Sequence, residues 1–117
     1  MTFLPQYSQL MLLTLEKNDY QYRSQCIMLE ENANQRESER LTYQYNSAAI
    51  NGEETTNVED DPYYKRLQQI TATHEAQQTA ITNQISAIET MINTLSKNLS
   101  GDIQKSCGSQ LGSSSSS

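Results

Sequence analysis

One histidine, two cysteines and fourteen carboxylates are the residues of this 117-residue chain whose types could do chemistry. A zinc centre needs three or four ligands drawn from His, Cys and carboxylate, and His74 stands alone. The run His74-Glu75-Ala76-Gln77-Gln78 lacks the second histidine of a metalloprotease helix. Glu30-Glu31, Glu37 and Glu39 are not spaced as a catalytic acid–base pair and read as solvated surface. The loop Glu53–Asp61 lacks the order of an EF-hand, and no glycine-rich phosphate cradle exists. Cys26 and Cys107 set no disulfide framework. An enzyme is not expected, nor is a metal or any other cofactor. Whether Cys26 could be activated by His74 depends on the elements that carry them.

Those elements read as two helical arms. From Leu67 to Ile103, apolar residues recur at steps of three and four: Leu67, Ile70, His74, then Ile81, Ile85, Ile88, Ile92, Leu95 and Leu99. That is the stripe of a coiled-coil helix. Asp61 and Pro62 form a start signal, an N-cap acceptor followed by a first-turn proline. Gly108 is the expected stop. The first arm is less regular. Tyr22, Cys26, Leu29 and Ala33 form one run of stripe, Leu41, Tyr45 and Ala48 another, and Asn51-Gly52 ends the arm. Lys17-Asn18-Asp19 has no apolar residue and is a candidate break.

The arms match in length, with 46 residues each from Pro5 to Ile50 and from Pro62 to Cys107. The segment between them holds five carboxylates and no base. Equal helices around a polar connection predict an all-α fold, an antiparallel two-helix hairpin of coiled-coil type. Its divisions are a first arm 1–50, an acidic loop 51–61, a second arm 62–107 and a flexible Gly/Ser tail 108–117. Facing residues should have numbers summing to about 112 in such a symmetric hairpin. The expected core is Tyr22, Cys26, Leu29, Leu41, Tyr45, Leu67, Ile70, Ile81, Ile85, Ile88, Ile92, Leu95 and Leu99. A polar waist of Glu37, Arg40, His74 and Glu75 should lie halfway along. In that register His74 is level with Ser38, roughly 18 Å along the helix from Cys26. The nucleophile–base pair is thereby ruled out, leaving Cys26 as a small core residue. Tyr43, Tyr45, Tyr63 and Tyr64 should close the bend as an aromatic cluster.

Composition bounds the rest. Net charge is −6 and hydrophobic content 35%, with one Phe and no Trp. A nucleic-acid binder needs a basic stripe, and none exists. No apolar run reaches the ~18 residues that span a bilayer. The N-terminus has no basic region or cleavage site of a secretory signal, so cytoplasmic residence or export without a cleaved signal is expected. So thin a core calls for a partner. Phe3, Leu10, Leu13, Tyr20 and Ile27 recur beside the expected inner stripe and form the predicted docking face. The partner is a protein, either a second copy in a homo-oligomer or a helix of another chain.

Two segments, "DDPYYKRLQQI" (Asp60–Ile70) and "SKNLSGDIQKS" (Ser96–Ser106), resemble the subunits of type III secretion needles. Those are short all-helical hairpins, rich in Gln, Asn and Ser, with a proline-containing turn. The resemblance covers about the C-terminal 45 residues and implies a self-assembling secretion component. A client-binding adaptor or chaperone is the alternative, and a pH or metal switch at His74 is a third.

Overall fold

The computed structural model describes the backbone of residues 3–53 and 57–115 and the side chains of residues 5–53 and 57–105. Two long helices, α1 (Phe3–Ile50) and α2 (Pro62–Ser115), run antiparallel as a helical hairpin, with one 3-10 turn (Val58–Asp60) between them. No strand occurs among the described residues, and no helix is long and apolar enough to cross a membrane.

The ends of the connection form where local chemistry places them. Gly52 takes φ +78°, a conformation that costs a residue with Cβ and not glycine. Its N–H reaches the carbonyl of Ala49 at 3.1 Å, and the Glu53 N–H reaches that of Ala48 at 3.0 Å. This double bond is the Schellman stop. On the far side, Asp61 Oδ1 accepts the Tyr63 N–H at 2.7 Å and caps α2 ahead of Pro62. Tyr45 donates its hydroxyl to the other Asp61 oxygen at 2.5 Å. Both bonds favour the carboxylate, and the Tyr45 bond does most to hold Asp61 below its ordinary pKa.

The candidate break does not occur, and the expected stop is revised. Lys17-Asn18-Asp19 does not break α1; Lys17 is half-buried and its ammonium lies 3.5 Å from Glu89. Gly108 does not stop α2, whose helical backbone continues to Ser115. The expected tail otherwise falls outside the described residues, for neither its side chains nor Ser116 and Ser117 are among them.

The chain divides into two compact units, one around the bend (Tyr22–Ile81) and one joining Met1–Gln21 to Thr82–Ser117. In the bend unit the inward residues of α1 are Ser24, Ile27, Glu31, Asn34, Ser38, Leu41, Tyr45 and Ala48. They alternate steps of three and four without a slip. Those of α2 are Tyr64, Leu67, Thr71, His74, Gln78 and Ile81, in the same alternation. In the terminal unit the inward set is Gln6, Leu10, Leu13, Lys17 and Tyr20 with Ile85, Ile88, Ile92, Leu95 and Leu99.

This phase differs from the expected one in α1. Leu41, Leu67, Ile81 and Ile88 are buried as anticipated, and Tyr45, Ile85, Ile92, Leu95 and Leu99 are half-buried. Tyr22 (66% exposed), Leu29 (69%) and Ile70 (37%) are not core residues. Cys26 is half-buried beside Tyr22, off the inward phase. The reason is geometric. The step from Ala33 to Leu41 is eight residues, which turns a helix about 80° off its starting face. Tyr22, Cys26, Leu29 and Ala33 therefore cannot share a seam with Leu41 and Tyr45. The seam keeps faith with Leu41 and runs through polar residues instead.

Candidate functional site: a polar waist and an outward stripe

Three hydrogen-bonding layers occupy the middle of the bend unit. Ser24 Oγ donates to Gln78 Oε1 at 2.7 Å, and Gln78 Nε2 donates back to the Ser24 carbonyl at 2.8 Å. Asn34 Nδ2 donates to the Leu67 carbonyl at 2.9 Å and to Thr71 Oγ1 at 2.8 Å. Thr71 passes its own proton to Glu31 Oε1 at 2.6 Å. His74 Nδ1 lies 2.6 Å from Glu31 Oε2. An ionised carboxylate only accepts, so Nδ1 is the protonated nitrogen.

Glu31 is the hub of this network. Burial alone would push its pKa up. Thr71, His74, Gln35 and Asn34 all hydrogen-bond to the carboxylate and outweigh burial, bringing the pKa down from 4.5 to about 2. A buried polar residue is tolerated on a coiled-coil seam when every bond is met across it. Ser38 is the exception: its hydroxyl oxygen is enclosed and finds no partner.

These pairs fix the register. Glu31–His74 and Asn34–Thr71 both have numbers summing to 105, one heptad short of the symmetric expectation. The acidic connection is not a symmetric cap. Asp61 returns to the level of Tyr45, so α2 starts beside α1 and below its end. A slip of one heptad leaves every inward position inward but changes every partner. His74 therefore faces Glu31, with Glu30 Oε2 3.5 Å from Nε2, and not Ser38. The separation from Cys26 argued through Ser38 falls with it. What keeps His74 from serving Cys26 as a base is that both ring nitrogens face glutamates.

The expected waist of Glu37, Arg40, His74 and Glu75 splits accordingly. Only His74 is on the seam. Glu37 pairs with Arg40 one turn along and accepts the Tyr63 hydroxyl at 3.0 Å. The Arg40 bond is the main cause that lowers the Glu37 pKa. Glu75 is exposed. The tyrosines near the bend act through their hydroxyls more than as a stacked cluster: Tyr45 serves Asp61, Tyr63 serves Glu37, and Tyr43 is 72% exposed. Among the described residues no group of three or more His, Cys, Asp or Glu could hold a metal ion.

The predicted docking face lies inward. Leu10, Leu13 and Tyr20 are half-buried in the terminal unit, where Leu13 lines a groove with Thr90, Met91 and Leu95. Ile27 is half-buried in the bend unit between two open grooves of about 490 and 480 Å³. The Phe3 side chain lies outside the described residues. The exposed apolar surface includes two residues expected in the core, Tyr22 and Leu29. In the bend unit Tyr22, Leu29, Tyr43 and Ile50 stand at multiples of seven along α1, the last 85% exposed. Cys26 and Ala33 complete the three–four alternation, and Arg36 and Arg40 interrupt it. The terminal unit has its own exposed cluster in Met11, Leu12 and Leu15. Heptad periodicity was the legible signal; which of two stripes on one helix faced inward was the missed part.

The arrangement defines an all-α helical hairpin with a hydrogen-bonded seam and an unpartnered heptad stripe on its first helix. Comparison with protein-family models, with curated proteins and with solved structures returned no match to this chain.

Proposed function

We propose that this protein is a non-enzymatic interaction module that docks an amphipathic helix along the outward face of α1. One observation carries the reading. The outward stripe of the bend unit repeats with the coiled-coil period, and its largest members are more than half exposed. Single exposed apolar residues are ordinary surface, whereas a periodic row of them is what a partner helix reads. Small clients and self-assembly both satisfy this chemistry. The likeness of the C-terminal arm to type III secretion needle subunits makes a self-assembling secretion component the first host to examine. Neighbouring genes of a secretion locus would support that host.

The test is the size of the protein in extracts of its own source. The chain should elute in an assembly larger than a monomer. A Tyr22→Glu/Leu29→Glu variant should elute as a monomer with its helical circular dichroism intact. A wild-type chain that elutes as a monomer, or a variant that stays assembled, rejects this face.

A second reading, an acid-responsive seam, is favoured by the placement of His74 between Glu30 and Glu31. It requires the melting temperature of the wild type to vary between pH 5 and 8 and that of His74→Gln to vary less. Identical profiles reject it.

A further inference from the structure

We infer that the occupant of the outward α1 stripe is the same stripe of a second copy, packed antiparallel about a two-fold axis between Cys26 and Leu29. The inference rests on the docking face proposed above and names its partner.

The hairpin's own seam supplies the rule for facing residues. In an antiparallel coiled coil, layers pair one seam position with the other kind, as Glu31 with His74 and Asn34 with Thr71. Applied to the outward stripe, the rule allows registers one heptad apart. One of them sets Tyr22 against Ala33 and Cys26 against Leu29 of the second copy. Each large side chain then meets a small one, four layers in succession, because the arrangement is self-complementary. The flanks agree in charge. Arg23 falls beside Glu30 of the second copy, and Gln25 beside its Asn32, each twice by symmetry. Opposite charges on the rim select register and orientation. A slip of one heptad one way sets Cys26 against Arg36 and Tyr22 against Arg40. A slip the other way sets Leu29 against Asp19.

The remaining surface of the bend unit favours this pairing over a head-to-tail one. The outward positions of α2, Gln69, Ala72, Ala76, Thr79 and Ala80, are exposed and small or polar, and the large apolar side chains that this stretch of helix exposes, Tyr63 and Ile70, show only 43% and 37% of their surface. A second copy's α2 gives the α1 stripe little to bury. Another α1 gives it a tyrosine and a leucine, Tyr22 and Leu29 of the second copy, in one short contact.

Purified protein decides it, with Cys26→Ser and Cys107→Ser as the background. A Tyr22→Cys chain and an Ala33→Cys chain are oxidised separately and mixed. The mixture should yield several-fold more disulfide-linked dimer than either chain alone, since like positions lie far apart along the axis. Light scattering of the wild type at high concentration should give a dimer, and Leu29→Glu should give a monomer of unchanged helix content. Equal cross-linking in the separate samples overturns the register and the inference. A monomeric wild type also overturns it. If the same chain is nevertheless assembled in source extracts through this face, the docking proposal survives and the partner is a foreign helix.

Discussion

The terminal unit and the bend unit use the same heptad geometry with opposite chemistry. In the terminal unit the α2 side of the seam is all aliphatic, from Ile85 through Ile88, Ile92 and Leu95 to Leu99. In the bend unit the central layers are Ser24, Glu31, Asn34 and Ser38 against Thr71, His74 and Gln78. Aliphatic layers bury area but tolerate sliding by a heptad, because any Ile accepts any Leu. Hydrogen-bonded layers bury less apolar surface and accept one partner only. Stability and register are thus carried by different residues, and the two can be broken separately.

The largest effect should come from the aliphatic seam. Ile88 is 3% exposed, and Ile88→Ala should cost about 3 kcal/mol in denaturant unfolding. Met91, 51% exposed, is the control, and Met91→Ala should cost less than about 0.5 kcal/mol. Equal losses at both positions would remove the seam assignment. Next comes Asn34→Ala, which removes the bonds across the seam to the Leu67 carbonyl and the Thr71 hydroxyl and should cost about 2 kcal/mol. Asn34→Leu sharpens the comparison. It should restore most of that stability, yet let cross-links between the arms spread over registers one heptad apart. A single register in the Asn34→Leu protein would show that the polar layers do not set it.

Much of the fold was legible in the sequence because its signals are local. Asp61-Pro62 and Asn51-Gly52 mark helix ends through bonds within a few residues, and both act where they were expected. The stripe from Ile81 to Leu99 was readable because only one face of that stretch is apolar. α1 between Ser24 and Ser38 was not, because its inner face is polar and its outer face apolar. Hydrophobicity then points to the wrong side, and only strict continuation of the three–four alternation from Leu41 recovers the seam. The register was missed by one heptad for a different reason. Equal arm lengths place the midpoint of a symmetric hairpin, but Asp61 stands at the level of Tyr45, below the end of α1, which no composition reveals. Glu31 escaped notice because its role needs Thr71 and His74, which only that register brings to it.

Acid should loosen the polar seam before the aliphatic one. Glu31 has its pKa lowered from 4.5 to about 2 by the bonds that it accepts from Thr71, His74, Gln35 and Asn34. The unfolded chain therefore binds its proton first as pH falls. The contribution of Glu31 is fully present above about pH 5 and is lost progressively between pH 4.5 and pH 2. Glu31→Gln should flatten the stability profile across that window while leaving the slope of other carboxylates, Asp61 and Glu37 among them. Hydrogen exchange gives a local readout: amides around Asn34 and Thr71 should lose protection at pH 3 before those around Ile88 do. Simultaneous loss in both places would mean that the two seams melt as one.

The smallest effect should have the opposite sign. Ser38 sits among the polar layers, yet its hydroxyl oxygen is enclosed without a partner. A buried hydroxyl that makes no bond costs folding free energy and fixes no register. Ser38→Ala removes that oxygen, leaves the backbone bond from Thr42 to the Ser38 carbonyl in place and raises helix propensity. It should stabilise the protein by about 0.5–1 kcal/mol in denaturant unfolding, with the inter-arm cross-linking pattern unchanged. A destabilised Ser38→Ala protein would mean that the hydroxyl is bonded in solution. Ser38 would then join Glu31, Asn34 and His74 as a layer that specifies register. Stabilisation with unchanged register would separate polarity as such from the paired polarity on which the comparison depends.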